Sequence, residues 1–397
     1  MIKKLKVYYF APHPVQYHTG IYQELAKVKN IDFKVIYESD IGLKPIFVKE
    51  FQKEIRWDID LLGGYPHEFL TNYSLNPMGD FFSRVNFGIL NKFFNDKPDV
   101  VIFNGYICFS DWLIMALAKL TTTRIIFRGE AVLRGVENNK SLKQKIKSVF
   151  LTGWLKRCDV VMYSCTGNKK YWEFYKVINE KLFPIPCAVN NDFFQLERKK
   201  YIGKEGQIKH ELGVKNNDLV ILFSARFSTR KRPLDLLKAL TQIDCKNIVV
   251  LFVGDGLERE IMEEFSDKNN IKTVFTGFKN QTEISKYYAI ADINMVISDY
   301  DPSPKAMNEA MNFEMPIIVT DIVGTAHDLV KDGENGFIVK VGDIDEIAKK
   351  IDYFNKNRDA IKTMGKKSFD IVQRWNYKED IKGILNAFNY LIDKGKK

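Results

Sequence analysis

The chain has 397 residues, 45% of them apolar, with 60 Lys+Arg against 50 Asp+Glu, a formal charge of +10. That length carries two domains with full cores, and no run of eighteen uninterrupted apolar residues occurs, so no transmembrane helix is indicated. The five cysteines (Cys108, Cys158, Cys165, Cys187, Cys245) show no metal-ligand spacing, and their odd number points to reduced thiols in a cytoplasmic protein.

The N-terminus, Met1-Ile2-Lys3-Lys4-Leu5-Lys6, leads straight into a strand pattern rather than the apolar core of a signal peptide. Charge is unevenly placed. Residues 1–200 hold 30 Lys+Arg against 20 Asp+Glu, so the whole excess lies in the first half, densest from Lys119 to Lys147. Such asymmetry fits an anionic partner facing one domain: a membrane surface, a phosphorylated lipid or a nucleic acid. A solvated basic surface accounts for it equally.

Lys6–Phe10 reads as a first strand and Phe33–Tyr37 as a second. Between them lies Ala11-Pro12-His13-Pro14-Val15-Gln16-Tyr17-His18-Thr19-Gly20, then a helical stretch. A loop after the first strand of a parallel sheet lies at the carboxyl edge, where doubly wound folds bind ligands. His13, His18 and Gly20 are therefore site candidates. Asp58-Ile59-Asp60 spells a DxD tripeptide, a pattern that can hold a divalent ion on a diphosphate. The aromatic stretch Phe81, Phe82, Phe87, Ile89, Leu90, Phe93 and Phe94 reads either as a core-facing helix or as a segment that dips into a membrane surface.

Strands follow at Asp99–Asn104, Thr123–Phe127, Asp159–Tyr163 and Lys181–Pro186, with helices between them. Arg128 and Glu130 sit at the end of one strand, as a site pair or as a mutual ion pair. Leu142–Leu155 is a basic helix. The alternation describes one βαβ-type domain. Asn190–Gly213 is polar and poor in apolar periodicity, and is assigned as the linker.

A second alternation begins at Leu219. Val220–Ser224 is a strand, followed by Ala225 to Pro233 with Arg226 and Lys231. Val249–Val253 runs into Gly254-Asp255-Gly256. Asp292–Ser298 is an apolar run that reads as a buried strand. It leads into Asp301-Pro302-Ser303-Pro304-Lys305-Ala306-Met307-Asn308-Glu309. Ser303 and Pro304 are suited to N-cap and N1, so a helix should start there. Its unpaired N–H groups near Lys305, Ala306 and Met307 would attract a phosphate. Asp301 guards the loop and Glu309 lies further along the helix. Two carboxylates flanking phosphate-sized donors match a ligand with hydroxyls at both ends, such as a nucleotide sugar; an ordinary buried strand–helix turn, with acidic residues favoured near a helix start by the dipole, matches the same pattern.

These residues also carry a family likeness. The second half resembles the retaining GT-B glycosyltransferases of family 4. That family's R-x4-K pair is matched by Arg226 and Lys231, and its V-G-x-G turn by Val253 to Gly256. Its E-x7-E motif running into E-A-M and P-V-I is matched by Asp301, Glu309-Ala310-Met311 and Pro316-Ile317-Ile318. Its D-G-x-N-G turn is matched by Asp332 to Gly336. The matches keep family order over about 120 residues, as counted from the sequence. Three departures stand out: Asp301 for the usual Glu, Arg232 for the usual Gly after Lys231, and the His13–His18 loop in place of a Gly-Gly loop.

The resemblance implies an α/β, GT-B architecture of two Rossmann-like domains facing across a cleft. The domains expected are 1–195 for the acceptor, 196–375 for the nucleotide sugar, and a helical segment 376–397 packing back on the first. It implies a retaining transfer from a UDP- or GDP-sugar to a glycan or lipid-linked sugar acceptor, in cell-surface polysaccharide synthesis. Arg226, Lys231, Asp301 and Glu309 would be catalytic. Gly254, Ser303, Pro304, Lys305, Ala306 and Glu309 would bind the donor. His13, His18, Gly20, Arg128 and Glu130 would line the acceptor or sugar pocket. Neither a metal nor a cofactor is expected, because Arg226, Lys231 and the helix N-terminus can stabilise the leaving diphosphate. An anionic membrane surface is a candidate partner and a nucleic acid is not, so the location expected is cytoplasmic, peripheral at the inner face of the cell membrane. A sugar-nucleotide epimerase of the same fold and a non-catalytic nucleotide-sugar-binding protein are the alternatives.

Overall fold

The computed structural model describes residues 4–395 apart from 44, 45, 49–52, 56, 78, 137, 138 and 140. Met1-Ile2-Lys3 of the basic start and Lys140 of the basic stretch thus lie outside the described residues. In chain order the first part runs β1 (Leu5–Ala11), α1 (Gln16–Ala26), β2 (Ile31–Tyr37), a short pair β3 (Ile46–Val48) and β4 (Lys53–Ile55), then β5 (His67–Phe69). It continues with α2 (Gly88–Phe94), β6 (Val100–Asn104), α3 (Phe109–Leu120), β7 (Arg124–Arg128), α4 (Leu142–Arg157), β8 (Val160–Tyr163), α5 (Thr166–Phe174) and β9 (Leu182–Pro184). The second part runs α6 (Asn191–Tyr201), α7 (Glu205–Glu211), β10 (Leu219–Ser224), α8 (Pro233–Leu240), β11 (Ile248–Val253), α9 (Arg259–Lys268) and β12 (Lys272–Phe275). There follow α10 (Gln281–Ile290), β13 (Ile293–Val296), α11 (Lys305–Asn312), β14 (Ile317–Thr320), α12 (Ala326–Leu329), β15 (Gly336–Val339), α13 (Ile344–Lys356), α14 (Arg358–Val372) and α15 (Tyr377–Gly395).

The chain divides into two compact units. Met1–Ile46, Ile59–Pro186 and Tyr377–Lys397 form the first, and Phe47–Asp58 with Cys187–Asn376 the second. The first unit holds a seven-stranded sheet in the order β5-β2-β1-β6-β7-β8-β9, and the second a six-stranded sheet in the order β12-β11-β10-β13-β14-β15. Every described pairing within these two sheets is parallel. Parallel strands need crossovers, and helices supply them on both faces.

The strands are apolar on both sides for that reason. Along β1, Tyr8 and Phe10 enter one core with Phe93, Phe103 and Trp154. Val7 and Tyr9 enter the opposite core with Ile384 and Phe388 of α15. That last helix packs on α1 and β9. Two glycines permit the close approach. A Cβ on Gly20 would run into the Tyr377 ring, and one on Gly383 into the Pro184 carbonyl. In the second unit, Ile221, Phe223, Val250 and Phe252 enter a core with residues of α8 and α13. Val220, Leu222, Leu251, Ile317 and Val319, also buried, alternate with that set along the strands, and Met307 and Ala310 of α11 are buried as well.

Several local assignments need correction. Asn190–Gly213 is not an extended linker but two helices, α6 and α7. Most of their charged residues are exposed or half-buried, with Glu197 buried, and the few apolar anchors such as Phe194 and Ile208 are buried. Too few anchors leave too little periodicity to read. His18 and Gly20 lie within α1, which starts at Gln16, so the edge loop ends earlier than its composition implies. The Phe81–Phe94 stretch is a short 3-10 turn plus α2, not one amphipathic helix. Ile89 and Phe93 are buried there, while Phe82, Phe87, Leu90 and Phe94 are exposed.

Candidate functional site

In the second unit, β10 is flanked on one side by β11 and on the other by β13. The winding reverses between β10 and β13, and ligands of open α/β sheets bind outside such switch points at the carboxyl ends of the strands. The loop after β10 carries Arg226 and, in a 3-10 turn at Thr229–Lys231, Lys231. The loop after β13 carries Asp301. The fold brings these two loops together: Lys231 is ion-paired with Asp301 through its Oδ2. Arg230 donates to the Tyr300 carbonyl (3.0 Å), and the Asp299 N–H donates to the Arg230 carbonyl (2.9 Å). Arg226 is half-buried on the same loop as Lys231.

Arg232, where the family likeness has Gly, adopts φ 56°, ψ 42° and begins α8 with Pro233. That is the left-handed region, which glycine enters without steric cost. Its side chain is ion-paired from Nε to Asp235 Oδ2 (2.5 Å) in the first turn of α8.

The α11 helix starts at Lys305 with Pro304, not Ser303, in the N-cap position and no side-chain cap. The Met307 N–H is taken by the Pro304 carbonyl (3.2 Å), so it is not among the outward donors. Helix geometry directs the Lys305 and Ala306 N–H groups out of the end. Lys305 Nζ turns back to the Ser303 hydroxyl (3.2 Å) and carbonyl (3.3 Å). Glu309 is buried, and its Oε2 accepts a hydrogen bond from the buried Tyr288 hydroxyl at 2.6 Å. The Gly324 N–H donates to the Asp301 carbonyl (2.9 Å), holding the mouth of this loop.

Two of the glycine motifs answer to packing. Gly254 has φ 139°, and a Cβ there would run into the Ala225 carbonyl. Its N–H donates to the Gly277 carbonyl (3.0 Å), and the Phe227 N–H donates to the Asp255 carbonyl (2.9 Å). The turn thus clamps the loop that bears Arg226. In the Asp332–Gly336 turn, Asn335 donates to the Leu329 carbonyl (3.0 Å) and to Ser368 of α14 (3.2 Å).

The Asp58-Ile59-Asp60 tripeptide is split between different tasks. Asp58 accepts the Thr282 N–H (3.0 Å) at the start of α10, and Asp60 accepts the N–H groups of Leu62 and Gly63 (2.9 Å each). Among the described residues no group of three His, Cys, Asp or Glu is placed to hold a metal ion.

In the first unit the switch point lies between β1 and β6. His13 follows β1 and is half-buried; burial, with the nearby Arg84 cation, holds its imidazole below the ordinary value. His18 sits on α1 with its ring at the edge of Tyr22 (6.0 Å). Gly20 meets Tyr377, as above. Arg128 is buried at the end of β7, donating to the Tyr9 hydroxyl (3.2 Å) and pairing with Glu130 (3.4 Å). A cavity of about 290 Å³ at this edge is lined by Asn104, Tyr106, Phe127, Arg128, Glu130 and Trp172.

A further cluster escaped the sequence. Glu38, directly after β2, is ion-paired with Arg84 (3.1 Å), which also pairs with Asp111 of α3 (3.2 Å). Burial pushes the Glu38 carboxyl up to about 8, against the lowering effect of Arg84. The edge rule that singled out His13 and Arg128 applies equally to a carboxylate one residue beyond β2.

Residues 204–370 match the family model of the Glycosyl transferases group 1, so the chain carries a domain of that family. Among curated relatives, alpha-monoglucosyldiacylglycerol synthase of Acholeplasma laidlawii is 27% identical over 219 residues, 54% of each chain. A Campylobacter jejuni GalNAc-alpha-(1->4)-GalNAc-alpha-(1->3)-diNAcBac-PP-undecaprenol alpha-1,4-N-acetyl-D-galactosaminyltransferase is 26% identical over 198 residues, 49% of this chain and 50% of its own. The chain spans about half the length of these curated relatives. Among solved structures, Anabaena HepE in complex with UDP and glucose superposes with a TM-score of 0.71 at 17% identity, over 97% of this chain and 99% of its own. The fold is that of the GT-B glycosyltransferases.

Proposed function

We propose that this protein is a retaining glycosyltransferase that moves a sugar from a UDP- or GDP-sugar to a glycan or lipid-linked acceptor, without a metal ion, in cell-surface polysaccharide synthesis. The observation that carries it is the meeting of Lys231 and Asp301 at the β10/β13 switch point, inside the stretch that matches the family model. The UDP-bound neighbour and the glycolipid- and glycan-forming relatives support the donor and acceptor classes.

Cleaving a sugar–diphosphate bond builds negative charge on the leaving nucleoside diphosphate. A group that stabilises that developing charge gains rate. Arg226 forks onto phosphate oxygens, and Lys231 supplies a second cation. The Lys305 and Ala306 N–H groups add donors at the helix end. Glu309, oriented by Tyr288, accepts from ribose hydroxyls, and Asp301 from the sugar ring. Neither carboxylate serves as a covalent nucleophile in this reading. The acceptor attacks from the face the diphosphate leaves, and the leaving phosphate takes the acceptor proton, so configuration is retained. Gly254 supports the donor site by holding the Arg226 loop. His13, His18, Arg128 and Glu130 serve the acceptor, with the 290 Å³ cavity beside Arg128 as its sugar subsite. The enzyme works at the inner face of the cell membrane.

The test is donor turnover. Purified protein is incubated with UDP-, GDP- and ADP-sugars, with and without EDTA, and released nucleoside diphosphate is quantified. Release from one donor, insensitive to EDTA and lost in Arg226→Ala, is the expected result. Conversion of the donor to its epimer without release would sink the transferase reading.

A further inference from the structure

The α4 helix presents two apolar faces. Leu151, Trp154 and Leu155 enter the core. Leu142, Ile146 and Val149, spaced i, i+4 and i+7, form a second stripe on the outside, and are 73%, 62% and 77% exposed. A surface helix with one core to cover needs only one such stripe. The outer stripe is flanked by Lys143 and Lys145, both exposed, with Lys147 beside them. Five of the sixteen residues of α4 are Lys or Arg and none is acidic.

The outer stripe continues into exposed aromatic surface. Phe150 of α4 stacks on Trp112 of α3, their centroids 5.4 Å apart, and Trp112 is 44% exposed. Trp112 meets Phe81 (6.2 Å), Phe81 meets Phe82 (5.0 Å), Phe82 meets Phe109 (6.4 Å) and Phe109 meets Phe87 (6.1 Å). Phe82 and Phe87 are 65% and 50% exposed. The band lies wholly within the first unit, where the chain's entire formal excess of charge also lies.

From this we infer that the α4 stripe, with Trp112 and Phe82 beside it, is the face by which the protein docks on an anionic lipid bilayer. This rests on the proposed transfer to lipid-linked acceptors and assigns the surface that brings the enzyme to them. Charge complementarity selects the occupant. Apolar side chains flanked by lysines suit the boundary between acyl chains and acidic headgroups. Tryptophan, with an apolar body and a polar edge, settles at that depth. A second copy of the chain is disfavoured, because a two-fold contact would set the same lysines against one another. Among the described residues no helix is long and apolar enough to cross a membrane, so attachment by this face is peripheral.

The test is sedimentation of the full chain with vesicles of neutral phosphatidylcholine, and with vesicles containing 30 mol% (roughly the anionic fraction that gives a strong surface potential) phosphatidylglycerol. Binding to the anionic vesicles, at least about tenfold tighter than to neutral ones and weakened by salt, is the expected result. Ile146→Glu with Val149→Glu should reduce it at least about tenfold, and Ile146→Leu should leave it unchanged. Lys143→Gln with Lys145→Gln should lower it by about fivefold per charge removed. Both stripe positions are exposed, so a circular dichroism melt should match the parent. Equal binding to both vesicle types, no binding, or binding indifferent to the Glu pair would overturn the assignment. So would a dimer in solution that the Glu pair dissolves. Donor hydrolysis measured without vesicles separates the two proposals. If hydrolysis fails while docking holds, the transferase reading falls alone; if docking fails while hydrolysis holds, only this surface does.

Discussion

Lys231 and Asp301 are joined by an ion pair across the loops that leave β10 and β13. Each is a group that the chemistry of a sugar diphosphate calls for, and here each satisfies the other. On the proposed function, donor binding would redistribute the pair, with Lys231 turning to phosphate and Asp301 to the sugar.

Breaking one side of such a pair harms the fold as well as the chemistry. Lys231→Ala should lower donor turnover by about 10²–10³-fold. It should also lose up to about 3 kcal/mol of stability, because Asp301 is left nearly buried without its cation. Combining it with Asp301→Asn should restore most of the stability and none of the turnover. Thermal melts and initial rates on the four proteins of the cycle decide this. Turnover recovering in step with stability would make the pair a structural one.

Glu309 accepts a hydrogen bond from the Tyr288 hydroxyl. Tyr288→Phe keeps the ring in its pocket and removes the hydroxyl. It should cost about 1–2 kcal/mol, since one hydrogen bond to a buried carboxylate is removed. If Glu309 holds the ribose, KM for the donor should rise several-fold with a smaller change in kcat. A fall in kcat at constant KM would argue for a role at the reacting carbon instead.

Gly254→Ala tests whether the glycine turn supports the Arg226 loop. The added Cβ meets the Ala225 carbonyl, and the residue holds φ 139°. Strain and displacement together should destabilise the protein by about 2–4 kcal/mol. A melting temperature equal to the parent's would show that the loops can part freely.

The Glu38 carboxyl titrates at about 8 in the folded chain because burial opposes its charge. An acid whose folded value is raised binds its proton more tightly in the native state, so stability falls as pH rises between its unfolded value and about 8. Glu38→Gln should flatten that decline over the same range, read from melting temperatures at half-unit pH steps. A slope identical to the parent's would place the proton elsewhere in the Glu38–Arg84–Asp111 cluster.

Composition and pattern carried much of this molecule. Apolar runs such as Val249–Val253 identify strands buried on both faces, and their alternation with helices identifies parallel sheets. His13, Arg128 and Asp301 stand out because a carboxyl edge is where a wound sheet binds its ligand, while Arg226 and Lys231 stand out only through the family likeness. What periodicity could not show was anything decided by side-chain neighbours far away in the chain. The helices α6 and α7 were hidden because a few buried anchors, Phe194 and Ile208, outweigh many charges. Gly20 and Gly254 look like ligand loops in one dimension, yet their missing side chains make room for the Tyr377 ring and the Ala225 carbonyl. Glu38, Arg84 and Asp111 lie 46 and 27 positions apart along the chain and meet only when the sheet closes. Sequence alone thus determined the alternation of strands and helices and which residue types stand at the strand ends. Only the tertiary structure decided which charges pair, because pairing depends on distances that spacing along a chain does not encode.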